Sequence, residues 1–464
     1  MNNINIKKLI KSKYAGNIII LIISIILLYL LISVFFANHF FFNTVINGVD
    51  VSLQAHDDVA DVIRSYIKDY KLQLIERNGE LEEITAQDIA LQYNEKNSIY
   101  EIYHKKNSFK WIKSVLKGPK YYVGDLFVYN KDNLENKINE LNCLHKAIIE
   151  PQNVSFKYSN SSYEVIEEVY GNKINKDKLK VAIKINMLHG ERKLDLNKEL
   201  CYENPKYALR SDKTSETVNL LNKYIKAKII YRFGEQNEIL DGNTINEWLC
   251  VNEDLEVILS EMAVAKYVKE LSKKYDTVGV TRKFKTSIGK TVEVAGGLYG
   301  WKINFADETK ALLENIKLGK VIEKEPIYAQ KALSRGKNEI GNTYVEINIT
   351  RQYLWFYING RLITQGSVVT GDINKGNATK LGTYMLNYKQ KGANLTGPDY
   401  EAKVTYWMPF FGNIGIHDAS WRYSFGSDIY KRNGTHGCVN TPLYLAEKIF
   451  ENIEAGTPII CFEE

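Results

Sequence analysis

Cysteine and proline are scarce in this chain: five and eight residues among 464. So few cysteines exclude a disulfide-stapled small domain, and so few prolines exclude a collagen-like or proline-rich disordered chain. No C-x-x-C pair occurs, which removes the zinc-ribbon class, and no G-x-S-x-G occurs, which argues against a serine-hydrolase elbow. An excess of one charge sign is also missing. The net charge is +6, and Lys7, Lys8, Lys11 and Lys13 account for most of it within the first thirteen residues. The rest of the chain carries no field suited to a polyanion, so nucleic acid is a poor partner. What remains is 45% hydrophobic and 25% charged, in a length that fits two to four globular domains.

One long apolar run stands out. Residues 18–37, IIILIISIILLYLLISVFFA, hold 20 positions without a charge. As a helix they span about 30 Å, the thickness of a bilayer core. The four lysines precede the run and none follows it closely, which predicts a cytoplasmic tail over 1–17 and a transmembrane helix over 18–38. A cleaved signal peptide is the alternative, but its apolar core would be shorter and end in small residues. The remainder of the chain then lies outside the membrane. Cys143, Cys201, Cys250, Cys438 and Cys461 are odd in number, so at least one thiol is free. Cys143, Cys201, Cys250 and Cys461 read as small buried hydrophobes.

Val59, Val62, Ile63, Tyr66, Ile67 and Tyr70 recur as one face of a helix, followed by a strand at Leu72–Ile75 and a turn at Asn78-Gly79. Two later segments resemble each other at an offset of 129 residues. Glu164-Val165 with Tyr170-Gly171-Asn172-Lys173-Ile174-Asn175 matches Glu293-Val294 with Tyr299-Gly300-Trp301-Lys302-Ile303-Asn304 at seven positions. A duplicated strand-turn-helix module accounts for this, with Gly in the turn and Asn starting the helix. Asn172 and Trp301, which differ between the copies, are the positions where ligand binding by the repeats would be tested. The lysine-rich run Lys176–Lys184 reads as a solvated helix face. Nothing over 44–330 has the spacing of a metal cluster, phosphate loop or carboxylate pair. Lys331–Lys337 reads as a polar linker.

The pattern then changes to short strands. Tyr344–Ile349, Gln352–Ile358, Arg361–Thr370, Thr383–Leu386, Val404–Pro409 and Ile459–Phe462 are rich in β-branched and aromatic residues. Asn359-Gly360 marks a hairpin. Thr441-Pro442 reads as a helix cap, with Ala446, Ile449, Phe450 and Ile453 as the stripe of one small helix.

Histidine occurs seven times, and His417 and His436 both lie within 21 residues before Cys438. In extended chain, His436 and Cys438 face the same way. A thiol becomes an acyl-transfer nucleophile when an imidazole draws its proton and backbone N–H groups hold the oxyanion. Gly437 leaves room for a substrate to approach such N–H groups. A His/Cys nucleophilic site, a zinc site built from His417, His436 and Cys438, and plain core residues all fit this spacing.

His417, seventeen residues, then Thr435-His436-Gly437-Cys438-Val439-Asn440 resembles the signature of the L,D-transpeptidase (YkuD-like) catalytic family. Tyr406-Trp407-Met408-Pro409-Phe410, Ile416-His417-Asp418-Ala419, Trp421-Arg422 and Phe425-Gly426 extend it, and the resemblance covers about 340–464. Ala378-Thr379-Lys380 departs from the Ala-Thr-Pro common in the family. Residues 163–196 and 292–326 resemble the peptidoglycan-binding repeats that precede such domains. The implied architecture is multidomain. A mostly β, YkuD-like catalytic domain with a small helix occupies 340–464, behind two α+β modules (44–205 and 206–330) and one transmembrane helix.

The resemblance implies that Cys438 is the nucleophile, His417 its base, and Asp418 the residue that orients the ring through its carbonyl. It implies an oxyanion hole at the Gly437 and Cys438 N–H groups, with His436 a hydrogen-bonding partner beside the thiol. Trp421, Arg422, Asn440, Thr435 and Tyr406 would bind substrate. The implied partners are peptidoglycan stem peptides, a donor tetrapeptide and an acceptor amine, at a wall outside a bacterial membrane. No metal or organic cofactor is implied, and a carbapenem would acylate the same thiol.

Overall fold

The computed structural model describes residues 5–96, 99–336, 339–397 and 400–464. Its first element is a single helix, α1 (Asn5–Asn38), and the stretch Gly16–Asn38 is long and apolar enough to cross a membrane. Residues 5–17, expected as a separate tail, continue the same helix. Gly16 is the weakest helix former at the junction, and one glycine costs a helix only about 1 kcal/mol.

The chain divides into two compact units, residues 1–155 with 166–211, and residues 156–165 with 212–464. In the first unit, Val59, Ile63 and Ile67 are buried on the helix Val59–Lys68, as their spacing predicts. The strand Lys71–Ile75 pairs antiparallel with Leu81–Thr85 across the Asn78-Gly79 turn and parallel with Lys193–Asp195. The repeated signature has a local physical reason. Asn175 caps the helix Lys176–Leu188 by accepting from the Lys178 N–H, and Asn304 caps Phe305–Lys317 by accepting from the Asp307 N–H. Leu179, Ala182, Ile183 and Met187 are buried on the first of these helices, while Lys176, Lys178 and Lys184 are exposed.

The variable signature positions are structural. Asn172 bridges the Ile149 N–H and the Ala147 carbonyl, and Trp301 is buried with its Nε1–H on the Ser334 carbonyl. Neither is a free ligand contact. The same packing corrects the linker at Lys331–Lys337. Ala332 is buried, and the Arg335 guanidinium stacks 4.1 Å over the Trp301 ring. Lys337 lies outside the described residues.

One hairpin within the expected first module, 44–205, groups apart from the rest of it. Residues 156–165 of the hairpin Ser155–Ser159/Ser162–Ile166 belong to the second unit, with Tyr158 and Tyr163 packed against its core. Tyr158 Oη donates to Asn243 (2.8 Å), Tyr163 Oη to Asn246 (2.6 Å), and the Tyr163 N–H to Asn222 (2.8 Å). The equivalent hairpin of the second module, Arg282–Lys285/Thr291–Val294, packs forward in the same way onto the C-terminal domain. Phe284 and Val294 meet Ile460 and Phe462, and the Ser287 N–H donates to the buried Glu346 carboxylate at 3.0 Å. Burial pushes the Glu346 carboxyl above its ordinary value, and the Ser287 donors oppose that shift.

The C-terminal domain holds two sheets. The first contains β1 (Tyr344–Asn348), β2 (Tyr353–Ile358), β3 (Arg361–Ser367), β4 (Gly382–Met385) and the last strand, Pro458–Phe462. The second contains β5 (Gln390–Gly397), β6 (Tyr400–Phe411), β7 (Ile414–Asp418) and β8 (Val439–Thr441). Naming Pro458–Phe462 β9, the orders are β3-β2-β1-β9-β4 and β5-β6-β7-β8. Only the β1–β9 and β7–β8 pairs are parallel. Helix α2 (Leu443–Asn452) buries Leu445, Ala446 and Ile449 in a core shared with Val345, Phe356, Met408 and Ile416. Thr441 is not its cap. It ends β8, its hydroxyl donates to the His417 carbonyl at 3.2 Å, and Pro442 takes the cap position.

Gly297 joins the second module to β4 at a point where no side chain fits. Its φ is +88°, and a Cβ there would lie 2.0 Å from the Thr383 carbonyl oxygen. Gly297→Ala is expected to destabilise the second unit by more than about 1 kcal/mol, read as a lowered calorimetric transition. An unchanged transition would show that this junction is not under strain.

Candidate active site

The parallel pairing of β7 and β8 builds the site. It sets Ile416 opposite Val439 and His417 opposite Asn440, so residues far apart in sequence share one strand edge. Cys438 precedes β8 and is buried at 9% exposure. Its Sγ lies 3.5 Å from the Asn413 carbonyl, and the Gly415 N–H donates to it. Ala393, Val404, Trp407 and Leu395 pack around it. That apolar setting pushes the thiol up to about 11, against the pull of the Gly415 N–H.

His417 is buried on β7, between Trp407 (5.8 Å between ring centres) and Trp421 (6.0 Å). Its Nδ1 lies 2.9 Å from the Asp418 carbonyl oxygen. A carbonyl only accepts, so Nδ1 carries the hydrogen and Nε2 holds the free lone pair of the neutral ring. Burial lowers the His417 pKa below 6.5, Arg422 lowers it further, and the Asp418 carbonyl and carboxylate pull it back. The Asp418 side chain serves elsewhere, accepting from the Thr405 and Tyr406 N–H groups and so tying β6 to β7.

The loop before Cys438 is held from inside. Thr435 Oγ1 donates to the Cys438 carbonyl (2.6 Å) and accepts from the Gly437 N–H (3.0 Å). Gly437 has φ +115°, and a Cβ would meet Ile414 Cδ1 at 3.0 Å, so glycine is required there. Thr379 Oγ1 donates to the Gly437 carbonyl (2.8 Å) and accepts from the Gly371 N–H (2.9 Å). The loop that departs from Ala-Thr-Pro is thus pinned through its threonine. Arg422 donates to the carbonyls of Asn433 (2.8 Å) and Gly434 (3.4 Å).

His417, Cys438, His436, Trp421, Arg422, Thr435 and Asn440 line one cleft of about 460 Å³, closed on the β5–β6 side by Leu395, Glu401, Ala402 and Lys403. Two buried polar atoms of its lining have no hydrogen-bond partner: Asn440 Oδ1, an acceptor, and Arg422 Nε, a donor. Tyr406 does not reach the cleft. It is buried on the other side of β6, where its hydroxyl donates to Glu447 (2.7 Å) and its ring packs on Phe450. Thr435 lines the cleft, but its hydroxyl is committed to the loop. The Gly437 N–H, expected in the oxyanion hole, rests on that same hydroxyl. Among the described residues no three His, Cys, Asp or Glu side chains converge to hold a metal ion. All five cysteines are free, and Cys250 is exposed, unlike the buried hydrophobe expected. It stands at an outward position of the strand Leu249–Val251.

Trp407, Asn413, Gly415 and Thr379 were not singled out in the sequence. Trp407 carried a signal as a member of the motif run Tyr406–Phe410, and Thr379 as the threonine of Ala378-Thr379-Lys380.

The L,D-transpeptidase catalytic domain (YkuD) family model matches residues 342–461. A second model, described as "Putative peptidoglycan binding domain", matches 82–195 and 209–323. A cysteine-to-serine mutant of the Enterococcus faecium L,D-transpeptidase is 31% identical over 53% of this chain and 100% of its own, with a TM-score of 0.44. This chain belongs to the L,D-transpeptidase family. As an L,D-transpeptidase it is an acyltransferase with peptidoglycan-binding modules. The catalytic domain of the E. faecium enzyme acylated by ertapenem is 34% identical over 26% of this chain and 98% of its own (TM-score 0.25). The "Ldtfm-avibactam carbamoyl enzyme" is 31% identical over 54% and 99% (TM-score 0.44). No curated protein sequence matches.

Thr379→Val removes both bonds that pin the transpeptidase loop, while Thr379→Ser keeps them. Acylation by a carbapenem is expected to slow about tenfold or more in the first, the rate cost of 1.4 kcal/mol, and to recover in the second. Equal rates would release Thr379 from any positioning role. The raised thiol and lowered imidazole also set a pH pattern. Iodoacetamide is expected to modify Cys438 slowly at pH 7 and faster only well above pH 9. The acid limb of enzymatic acylation is expected below pH 6.5, because His417 stays unprotonated down to its lowered pKa. Rapid alkylation at pH 6 would indicate a resting thiolate–imidazolium pair instead.

Proposed function

We propose that this L,D-transpeptidase is anchored by α1 with its N-terminus in the cytoplasm, and forms 3→3 cross-links in peptidoglycan outside the membrane. The observation that carries the chemistry is the shared cleft of Cys438 and His417, with Nδ1 occupied by the Asp418 carbonyl. His417 Nε2 takes the thiol proton as sulfur attacks the carbonyl of the third stem-peptide residue. A tetrahedral oxyanion forms, and the Cys438 N–H holds it together with the Gly437 N–H, which turns from Thr435 as charge develops. His417 returns the proton to the departing terminal D-amino acid, leaving a thioester. An acceptor amine on a second stem attacks that thioester. Its proton passes to His417, the new amide forms, and the thiol is restored.

Asn440 Oδ1 and Arg422 Nε are matched to the N–H and carbonyl groups of a bound peptide, since each is buried and lacks a partner. Trp421, 47% exposed at the mouth, offers a flat apolar wall. The same thiol accounts for acylation by carbapenems. The upstream modules hold the enzyme on the glycan meshwork, and the lysines before the span support the N-in orientation.

The test is incubation with a purified disaccharide-tetrapeptide and mass analysis of the products. The expected product is a dimer formed with loss of one terminal residue, absent with Cys438→Ala and slowed about 10²–10⁴-fold with His417→Ala. Shortened tripeptide without dimer would assign a carboxypeptidase, in which water accepts the acyl group. Turnover by Cys438→Ala at the wild-type rate would refute the mechanism.

A further inference from the structure

Between Glu101 and Asp125 the chain carries six lysines and no acidic residue. Its centre is a short 3₁₀ helix, Ser108–Val115, started by Asn107, whose side chain accepts from the Phe109 N–H. With about three residues per turn, such a helix presents three separate faces. Trp111 and Ser114 occupy one face and are buried. Phe109, Ile112 and Val115 occupy the second and are 50–58% exposed, followed by Leu116 at 95%. Lys110 and Lys113 occupy the third, with Lys117 and Lys120 just beyond, and none of the four forms an ion pair among the described residues.

The buried face packs on α1. Trp111 Nε1–H donates to Ser33 Oγ at 3.2 Å, and its ring lies 5.9 Å from Phe36 and 5.7 Å from Tyr29. The Tyr29 hydroxyl donates to the Phe109 carbonyl. Ser33 and Phe36 are thereby covered, while most of α1 stays bare. Tyr29 stands nine residues before the end of α1, about 13 Å along its axis. A segment bonded to Tyr29 and Ser33 therefore lies at the depth of the apolar run, not beyond it.

From this we infer that residues 108–117 form a second membrane-contacting element, seated in the outer leaflet against α1. Phe109, Ile112, Val115 and Leu116 enter the acyl region, and Lys110, Lys113 and Lys117 reach anionic phosphate headgroups. The inference rests on the reading of α1 as a membrane anchor. The occupant is lipid because the exposed apolar face continues the lipid-facing surface of α1. The lysines also match the charge of an anionic headgroup layer. In water that face would leave three large apolar side chains uncovered beside one another, with Leu116 bare at its end.

The test uses the full chain with Cys250→Ser and Cys438→Ser, reconstituted in phosphatidylcholine–phosphatidylglycerol vesicles. Nitroxide labels are placed singly at Ile112→Cys, Leu116→Cys, Leu27→Cys in α1, and Ile148→Cys as an aqueous control. Expected are collision rates with oxygen several-fold above those with a water-soluble nickel chelate at 27, 112 and 116, and the reverse at 148. Pure phosphatidylcholine is expected to weaken the oxygen preference at 112 and 116 but not at 27. Lipid contact at 27 with water contact at 112 and 116 would overturn the inference and leave the anchor intact. Water contact at 27 as well would overturn both. Protection at 112 and 116 from both reagents would mean a protein surface covers this face, which also refutes it. Equal results in the two lipid mixtures would remove the role of the lysines.

Discussion

The parallel pairing of β7 with β8 is the constraint on which this molecule depends. It is a short ladder between segments 21 residues apart in sequence, and it sets His417 and Cys438 at one edge. The ladder is secured both across its two strands and from outside them. Thr441 returns a hydroxyl to the His417 carbonyl, the Asp418 carboxylate takes two N–H groups of β6, and Val369 exchanges both backbone bonds with Asn440. Without these ties a three-residue strand would be too short to hold Cys438 in register with His417. The first sheet and helix α2 supply the rigid core behind it.

Burial sets the chemical state of the site. It raises the thiol and lowers the imidazole, so both rest neutral near pH 7. A neutral pair costs far less to bury than a thiolate beside an imidazolium without further partners. In the proposed mechanism charge then appears only when a substrate carbonyl is present to receive the electron pair. The fixed tautomer of His417 means that no ring flip is needed before the proton moves. In the proposed mechanism the apolar wall of Ala393, Val404 and Trp407 would keep the thiol unreactive toward solvent and small electrophiles between turnovers.

Much of this was legible in the sequence, and what was not has a common cause. The strands of the first sheet, the Asn359-Gly360 turn and the stripe of α2 depend on neighbours in sequence, and they stand where local patterns place them. His417, Gly437 and Cys438 were legible because their motif is contiguous or nearly so. Thr379, Asn413 and Trp407 act through contacts that only the folded chain creates; Thr379 and Trp407 stand in motif runs, but those runs do not specify what either residue touches. The repeat signature misled in an instructive way. Its most distinctive residue, Trp301, is a packing residue under Arg335, and the segment taken as a linker is what covers it. The two hairpins that pack onto later parts of the chain were hidden for the same reason. A strand's sequence marks it as a strand without marking which domain it joins.

The most direct test of the account is to identify the atom that carries the acyl group. The full chain is mixed with a donor stem tetrapeptide in the absence of any acceptor amine, quenched in acid within the first turnover, and mapped by peptide mass spectrometry. A tripeptide acyl adduct is expected on Cys438 alone, formed as one terminal D-amino acid is released. Release of that residue with Cys438 unmodified, or an adduct on any other side chain, would contradict it.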